Sequence, residues 1–158
     1  MRLYFYRGKG LGAALIRWFS RSKYAHVSIV FQDGAVFEAY PRVGVRKTWL
    51  KSTKGITPFV FKLGAPVDSA AVRIFLDAEC GAGTKYDYWG VICFVMGLKP
   101  RRSEARYFCS ELVFDALRAG GVDLLDRVDG WKLRPDELSW SPLITIDSAL
   151  KFQWENPI

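Results

Sequence analysis

The chain has 158 residues, of which 50% are hydrophobic and 15% aromatic, and it carries a formal charge of +7. That length suits one domain, residues 1–158, with a real core, and that composition excludes disorder. The positive balance suits an acidic partner, but the basic residues are scattered and no nucleic-acid module accompanies them, so specific nucleic-acid binding is set aside for a solvated basic surface.

Three cysteines, Cys80, Cys93 and Cys109, stand at spacings that fit no zinc motif. They read as free thiols of a reducing compartment. The first residues lack the apolar core of a signal peptide. The longest apolar run, Tyr88 to Leu98, is too short to span a bilayer. The expectation is a cytoplasmic protein without a transmembrane segment.

In chain order, Leu3 to Tyr6 reads as a strand, and Arg7 to Gly10 as a turn. A helix follows over Leu11 to Ser20, with Leu11, Leu15, Trp18 and Phe19 at helical spacing. The glycines at 8, 10 and 12 lack the Gly-Lys-Ser/Thr ending of a phosphate loop, so no nucleotide site is read there.

Residues 25–40 form a β-hairpin with Asp33-Gly34 at the turn. A two-residue turn would pair Ile29 with Glu38. A three-residue loop, Gln32 to Gly34 with glycine in the left-handed position, pairs Phe31 with Ala35 and Ser28 with Glu38. The second register sorts the side chains better. Val27, Ile29, Phe31, Ala35, Phe37 and Ala39 then share one apolar face, while His26, Ser28, Val30, Val36, Glu38 and Tyr40 share the other. His26 and Glu38 become diagonal neighbours, within reach of one glutamate side chain.

Pro41 to Leu50 continues as an extended turn or short strand, and Thr57 to Leu63 as another strand. Val67 to Cys80 reads as a helix capped by Asp68 or Ser69, with Ala71, Ile74, Phe75 and Ala78 inward and glycines 81 and 83 ending it. Tyr86 to Leu98 is apolar all round, as a buried helix or a lining element would be. Lys99 to Arg106 is a basic loop. An amphipathic helix opens at Cys109 and closes at Gly120-Gly121. Pro135-Asp136-Glu137-Leu138 begins a last helix, with Pro at its first position. Leu143 to Ile146 and Phe152 to Trp154 are late strands.

Cys109 lies on the stripe Cys109, Leu112, Val113, Ala116, Leu117. Cysteine on such a face is ordinarily packing. At a first helical turn, however, free N–H groups and the macrodipole favour a thiolate. The sequence has one histidine, His26. A helix N-terminal thiol, with a hairpin offering an imidazole and a carboxylate, is the set of parts a papain-type site needs. Cys80 and Cys93 read as structural.

The stretches Ala25-His26-Val27-Ser28-Ile29-Val30, Phe37-Glu38-Ala39, Gly83-Thr84-Lys85-Tyr86-Asp87-Tyr88 and Tyr107-Phe108-Cys109-Ser110-Glu111-Leu112-Val113, in this order, resemble the circularly permuted NlpC-type papain-like family and its YiiX-like branch of cysteine peptidases and amidases. The likeness covers about residues 1 to 140. It implies an α+β fold in which a small antiparallel sheet, built from both ends of the chain, packs against the nucleophile helix. It matches Cys109 to the nucleophile, His26 to the base and Glu38 to the residue orienting that base. Tyr86 matches a recurring tyrosine near the site. Tyr86, Ser110 and Tyr40 are candidates for contacts to substrate or oxyanion. Glu111 is expected to point elsewhere and serve the helix dipole.

The resemblance implies no metal or organic cofactor. Its substrates are amide bonds in peptides or peptidoglycan-like peptides, or acyl amides and esters of lipids. Members of the branch commonly carry a secretion signal, so its lack here suggests a cytosolic or phage-encoded member. Three classes stay open: a cysteine amidase or peptidase, a lipid acyl hydrolase or acyltransferase on the same scaffold, and a non-catalytic binding module.

Overall fold

The structure is a computed structural model that describes residues 1–8, 22–50, 58–96, 98, 106–126 and 128–147. The expected helix over 11–20 and strand over 152–154 lie outside the described residues, as does most of the basic loop.

The hairpin forms as its pattern predicts. Strands β1 (Arg2–Tyr6), β2 (His26–Val30), β3 (Ala35–Tyr40) and β4 (Gly44–Trp49) run as an antiparallel meander. Ile29 pairs with Phe37 and Val30 with Val36. The Phe31 N–H donates to the Ala35 carbonyl at 2.9 Å, closing the three-residue loop. Gly34 sits there at φ 86°, in the left-handed region that glycine enters without steric cost. Strand β5 (Phe59–Leu63) adds to the far edge of β1, and β8 (Ile144–Ile146) pairs with β5. The result is a six-stranded antiparallel sheet in the order β4-β3-β2-β1-β5-β8. Both ends of the described chain contribute to it, within a mixed α+β architecture.

Helices cover one face of the sheet. Helix α1 (Ser69–Gly81) starts at Asp68, whose carboxylate accepts from the N–H groups of Ala70 and Ala71. Its inward face is corrected by the structure: Val72 and Leu76 are buried, whereas Ile74 is 71% exposed. The stripes Ala71/Ile74/Phe75/Ala78 and Val72/Phe75/Leu76 both have helical spacing. Docking selects the one whose branched side chains fill the space against the next long helix.

That helix, α3 (Cys109–Ala119), packs against β2, β3 and α1. Its stripe Cys109, Leu112, Val113, Ala116, Leu117 is buried against Val27, Ile29, Phe37 and Ala39 of the hairpin. Each fully buried Leu or Phe contributes on the order of 1.5–3 kcal/mol. The hairpin's mixed face is buried as well, with Val30 and Val36 clustering with Tyr4, Tyr6 and Val60.

Between these helices in sequence comes α2 (Tyr88–Val95). The structure leaves one side of it exposed rather than burying it all round: Trp89, Ile92 and Met96 face solvent, while Gly90 and Cys93 are buried. Strands β6 (Lys85–Tyr86) and β7 (Arg106–Tyr107) form a two-residue parallel ladder just before α2 and α3. Beyond α3, a 3-10 turn (Gly130–Lys132) and α4 (Pro135–Leu138) pack on it. Pro135 opens α4, with Asp136 and Glu137 in its first turn, as the sequence predicts. No helix among the described residues is long and apolar enough to cross a membrane.

Candidate active site

His26 opens β2, and Glu38 sits near the end of β3. Their diagonal placement brings His26 Nε2 to 2.6 Å from Glu38 Oε2. The ring is held on two more sides. Tyr6 lies at a centroid distance of 5.7 Å, and Tyr40 meets it edge-on at 6.0 Å. Tyr6 and His26 are direct partners across β1 and β2. The Tyr6 hydroxyl lies 3.4 Å from that of Ser28. Burial, with the Glu38 charge nearby, pushes the Tyr6 phenol up to about 12.

Cys109 is the first residue of α3, and the preceding Phe108 is extended, with no side-chain cap. A helix's first N–H groups have no acceptor within the helix, so the start of α3 presents backbone donors and positive potential at the thiol. The Cys109 side chain lies close enough to His26 to act on the charge of the ring. Because Nε2 is committed to Glu38, the ring nitrogen left for sulfur is Nδ1. Thiol and imidazole thus meet where their elements begin.

The electrostatics follow from this packing. Burial works against a charged imidazole, but the hydrogen bonds and negative charges of Cys109 and Glu38 outweigh it. They raise His26 from 6.5 to about 10. Burial likewise opposes the Glu38 charge, and it is outweighed by His26 and Arg46, which hold the carboxyl below its ordinary value.

Arg46 is the functional residue that sequence reasoning missed, having been counted with the scattered surface charge. It is the direct cross-strand partner of Glu38. Its Nε and Nη2 both donate to Glu38 Oε1, at 2.9 and 2.6 Å. The guanidinium also lies over the Tyr40 ring, 4.0 Å from its centroid. A β3–β4 hairpin register would have revealed it. The turn at residues 41–43 concealed that register, because it places a non-glycine residue, Arg42, at φ 69°.

The three remaining candidates fall in different places. Tyr86, half-buried, lies close enough to Cys109 for a sulfur charge to act on it. Burial, then that charge and those of Tyr88 and Asp87, push its phenol upward, so it stays protonated and able to donate. Gly44 lets β4 lie against this segment: a Cβ there would collide with the Thr84 carbonyl oxygen, which instead accepts from the Val45 N–H at 2.8 Å. Tyr40 is at the site's rim, 43% exposed. Ser110 is fully buried, and its hydroxyl donates to the Leu133 carbonyl at 2.7 Å, tying α3 to the 3-10 turn. The Ser110 hydroxyl is thus engaged by the fold rather than offered to a substrate. Glu111 is buried in the first turn of α3. Of the other cysteines, Cys93 is buried and Cys80 partly so; burial, with the negative charge of Asp77, raises the Cys80 thiol.

The whole structure is similar to the crystal structure of the metalloprotein yiiX from Escherichia coli O157:H7, DUF1105. The TM-score is 0.57 at 13% sequence identity, over 91% of this chain and 93% of that one. The chain has a YiiX-like fold. At this identity the likeness is one of fold. No family model matches the sequence, and no curated protein matches it. Within this YiiX-like chain the described residues bring together no group of three or more His, Cys, Asp or Glu side chains able to hold a metal ion. Both Glu38 oxygens are engaged, one by His26 and one by Arg46. The donor set does not suit a metal.

Proposed function

We propose that the chain is a cysteine hydrolase of the permuted NlpC, papain-like type, acting as one catalytic unit on amide or ester bonds of peptides or acyl groups. One observation carries this reading: the chain's single histidine has Glu38 on one nitrogen, and the thiol at a helix N-terminus lies close enough to act on its charge. A hairpin's imidazole and carboxylate, with a thiol from a later helix, are the groups that acyl transfer uses, which supports the reading.

In the first half-reaction, the Cys109 sulfur, its proton held by His26, adds to the substrate carbonyl carbon. The C–N or C–O bond then breaks as His26 gives its proton to the leaving group, and a thioester remains on Cys109. In the second, His26 takes a proton from water, the hydroxide oxygen adds to the thioester carbon, and the C–S bond breaks to release a carboxylic acid. On this reading the Cys109 N–H and the Tyr86 phenol serve the oxyanion; losing one such donor costs about 100- to 1,000-fold in rate. Glu38 holds the imidazole and stabilises its positive charge.

Limited alkylation with iodoacetamide near neutral pH tests the reading. Cys109 should react far faster than Cys80 or Cys93, and His26→Gln should remove that advantage. Equal, slow labelling of all three thiols would sink it. A lipid acyl hydrolase or acyltransferase is the second reading, favoured by the exposed apolar side of α2 next to Tyr86. Mass spectrometry of the acyl group trapped on Cys109 separates the two.

A further inference from the structure

Five of the twelve exposed large hydrophobic residues among the described ones fall between Tyr88 and Leu98. At about 100° per residue, Tyr88, Ile92, Met96 and Trp89 lie within one arc of roughly 100°. Trp89 is 57% exposed and Met96 66%. Gly90 and Cys93 are buried, so α2 is docked by one side and bare on the other. A contiguous aromatic and aliphatic face of this kind marks a binding surface rather than ordinary scattered exposure.

Cations gather at the helix's N-terminal end. Lys85 and Arg106 are neighbours in the β6–β7 ladder, and both are exposed. Two like charges side by side repel, which favours an anion against them. Arg42 is held at the same end, its N–H donating to the Tyr88 hydroxyl at 2.6 Å. The nearby Asp87 carboxylate accepts from the Gly90 N–H at 2.8 Å, within the helix start.

We propose that this face of α2, with Lys85, Arg106 and Arg42, docks on an anionic lipid surface. Apolar residues on one helical face, a tryptophan among them and cations at the end, match the boundary between acyl chains and negatively charged headgroups. A second copy of the chain fits poorly, since it would bring the same cations and another +7 of charge. The face leads to the thiol: the Tyr88 ring packs on that of Tyr86, 5.0 Å between centroids, and Tyr86 stands beside Cys109. Resting on the cysteine-hydrolase reading, the substrate class becomes acyl esters or amides presented at a membrane surface.

Flotation of the full chain with vesicles tests the docking without requiring turnover. The protein should float with phosphatidylcholine vesicles containing phosphatidylglycerol, far less with phosphatidylcholine alone, and less as salt rises. The triple variant Trp89→Gln, Ile92→Gln, Met96→Gln should lose at least about tenfold in partitioning, its fold checked by circular dichroism and its unfolding midpoint. Lys85→Gln and Arg106→Gln should each lose about fivefold on the anionic vesicles. Failure to float, or a folded triple variant floating like the wild type, would overturn the proposal. So would a dimer, seen by light scattering, that the triple variant dissolves, because a second copy would then cover the face. Cys109→Ala should float like the wild type. Flotation together with an inert Cys109 would keep the docking and discard the hydrolase reading.

Discussion

His26 concentrates most of the site's chemistry in one ring, and as the sole histidine it can be followed without ambiguity. A proton NMR titration of its ring should give a midpoint near 10 rather than 6.5. Of the groups that raise it, Cys109 has the largest influence, so Cys109→Ala should lower the midpoint, while Glu38 keeps part of the elevation. An unchanged midpoint in that variant would show that thiol and ring do not interact. Arg46 acts one step further out. Its two N–H groups on one carboxylate oxygen form the fork that lysine cannot reproduce. Arg46→Met leaves the buried Glu38 carboxylate one partner short, and should cost about 1.5–3 kcal/mol in denaturant unfolding. Arg46→Lys should recover only part of this. None of this could be read from Arg46 itself, which lies among Arg42, Lys47 and Lys51 and looks like surface charge.

Elements differ in how far their sequence announces them. The β2–β3 hairpin was legible because alternation and the Asp-Gly turn agree on a single register, and a slip of one residue would have turned Phe37 outward. The start of α3 was legible for a similar reason, with an aromatic pair, a cysteine and a five-residue apolar stripe. The β6–β7 ladder was not, because two residues per strand carry no period, and it is this ladder that brings Tyr86 beside Tyr107 ahead of the thiol. The bare side of α2 was hidden because its sequence is apolar in every direction. Two glycines allow a measurement of element docking. Gly34 and Gly44 both have positive φ, but an added Cβ at Gly34 meets nothing within 4 Å, whereas at Gly44 it strikes the Thr84 carbonyl. Gly34→Ala should cost about 1 kcal/mol, from backbone strain alone, and Gly44→Ala distinctly more in the same denaturant titration. Equal losses would mean that β4 does not hold the Tyr86 segment in place.

For the molecule as a whole, the site's charges make stability depend on alkaline pH. The folded state holds the His26 proton up to about 10, against 6.5 for an ordinary imidazole. Unfolding therefore releases a proton between those values, and rising pH favours the unfolded chain. The stabilisation from this group should be complete below 6.5 and lost as pH rises through about 10. Unfolding midpoints across this window should fall more steeply for the wild type than for His26→Gln. Glu38, with its carboxyl held low, contributes throughout that window and loses its share only in acid. The sheet order has a temporal consequence. Strands β1 to β4 form one meander within the first 50 residues, carrying His26, Glu38 and Arg46, whereas Cys109 follows about 60 residues later. During synthesis the cluster of His26, Glu38 and Arg46 can assemble before Cys109 is made. Cys109 comes near His26 only when α3 docks, so on the proposed reading a full-length chain halted before that step should carry three equally sluggish thiols. If Cys109 reacts as proposed, its alkylation rate should also follow the last stage of folding.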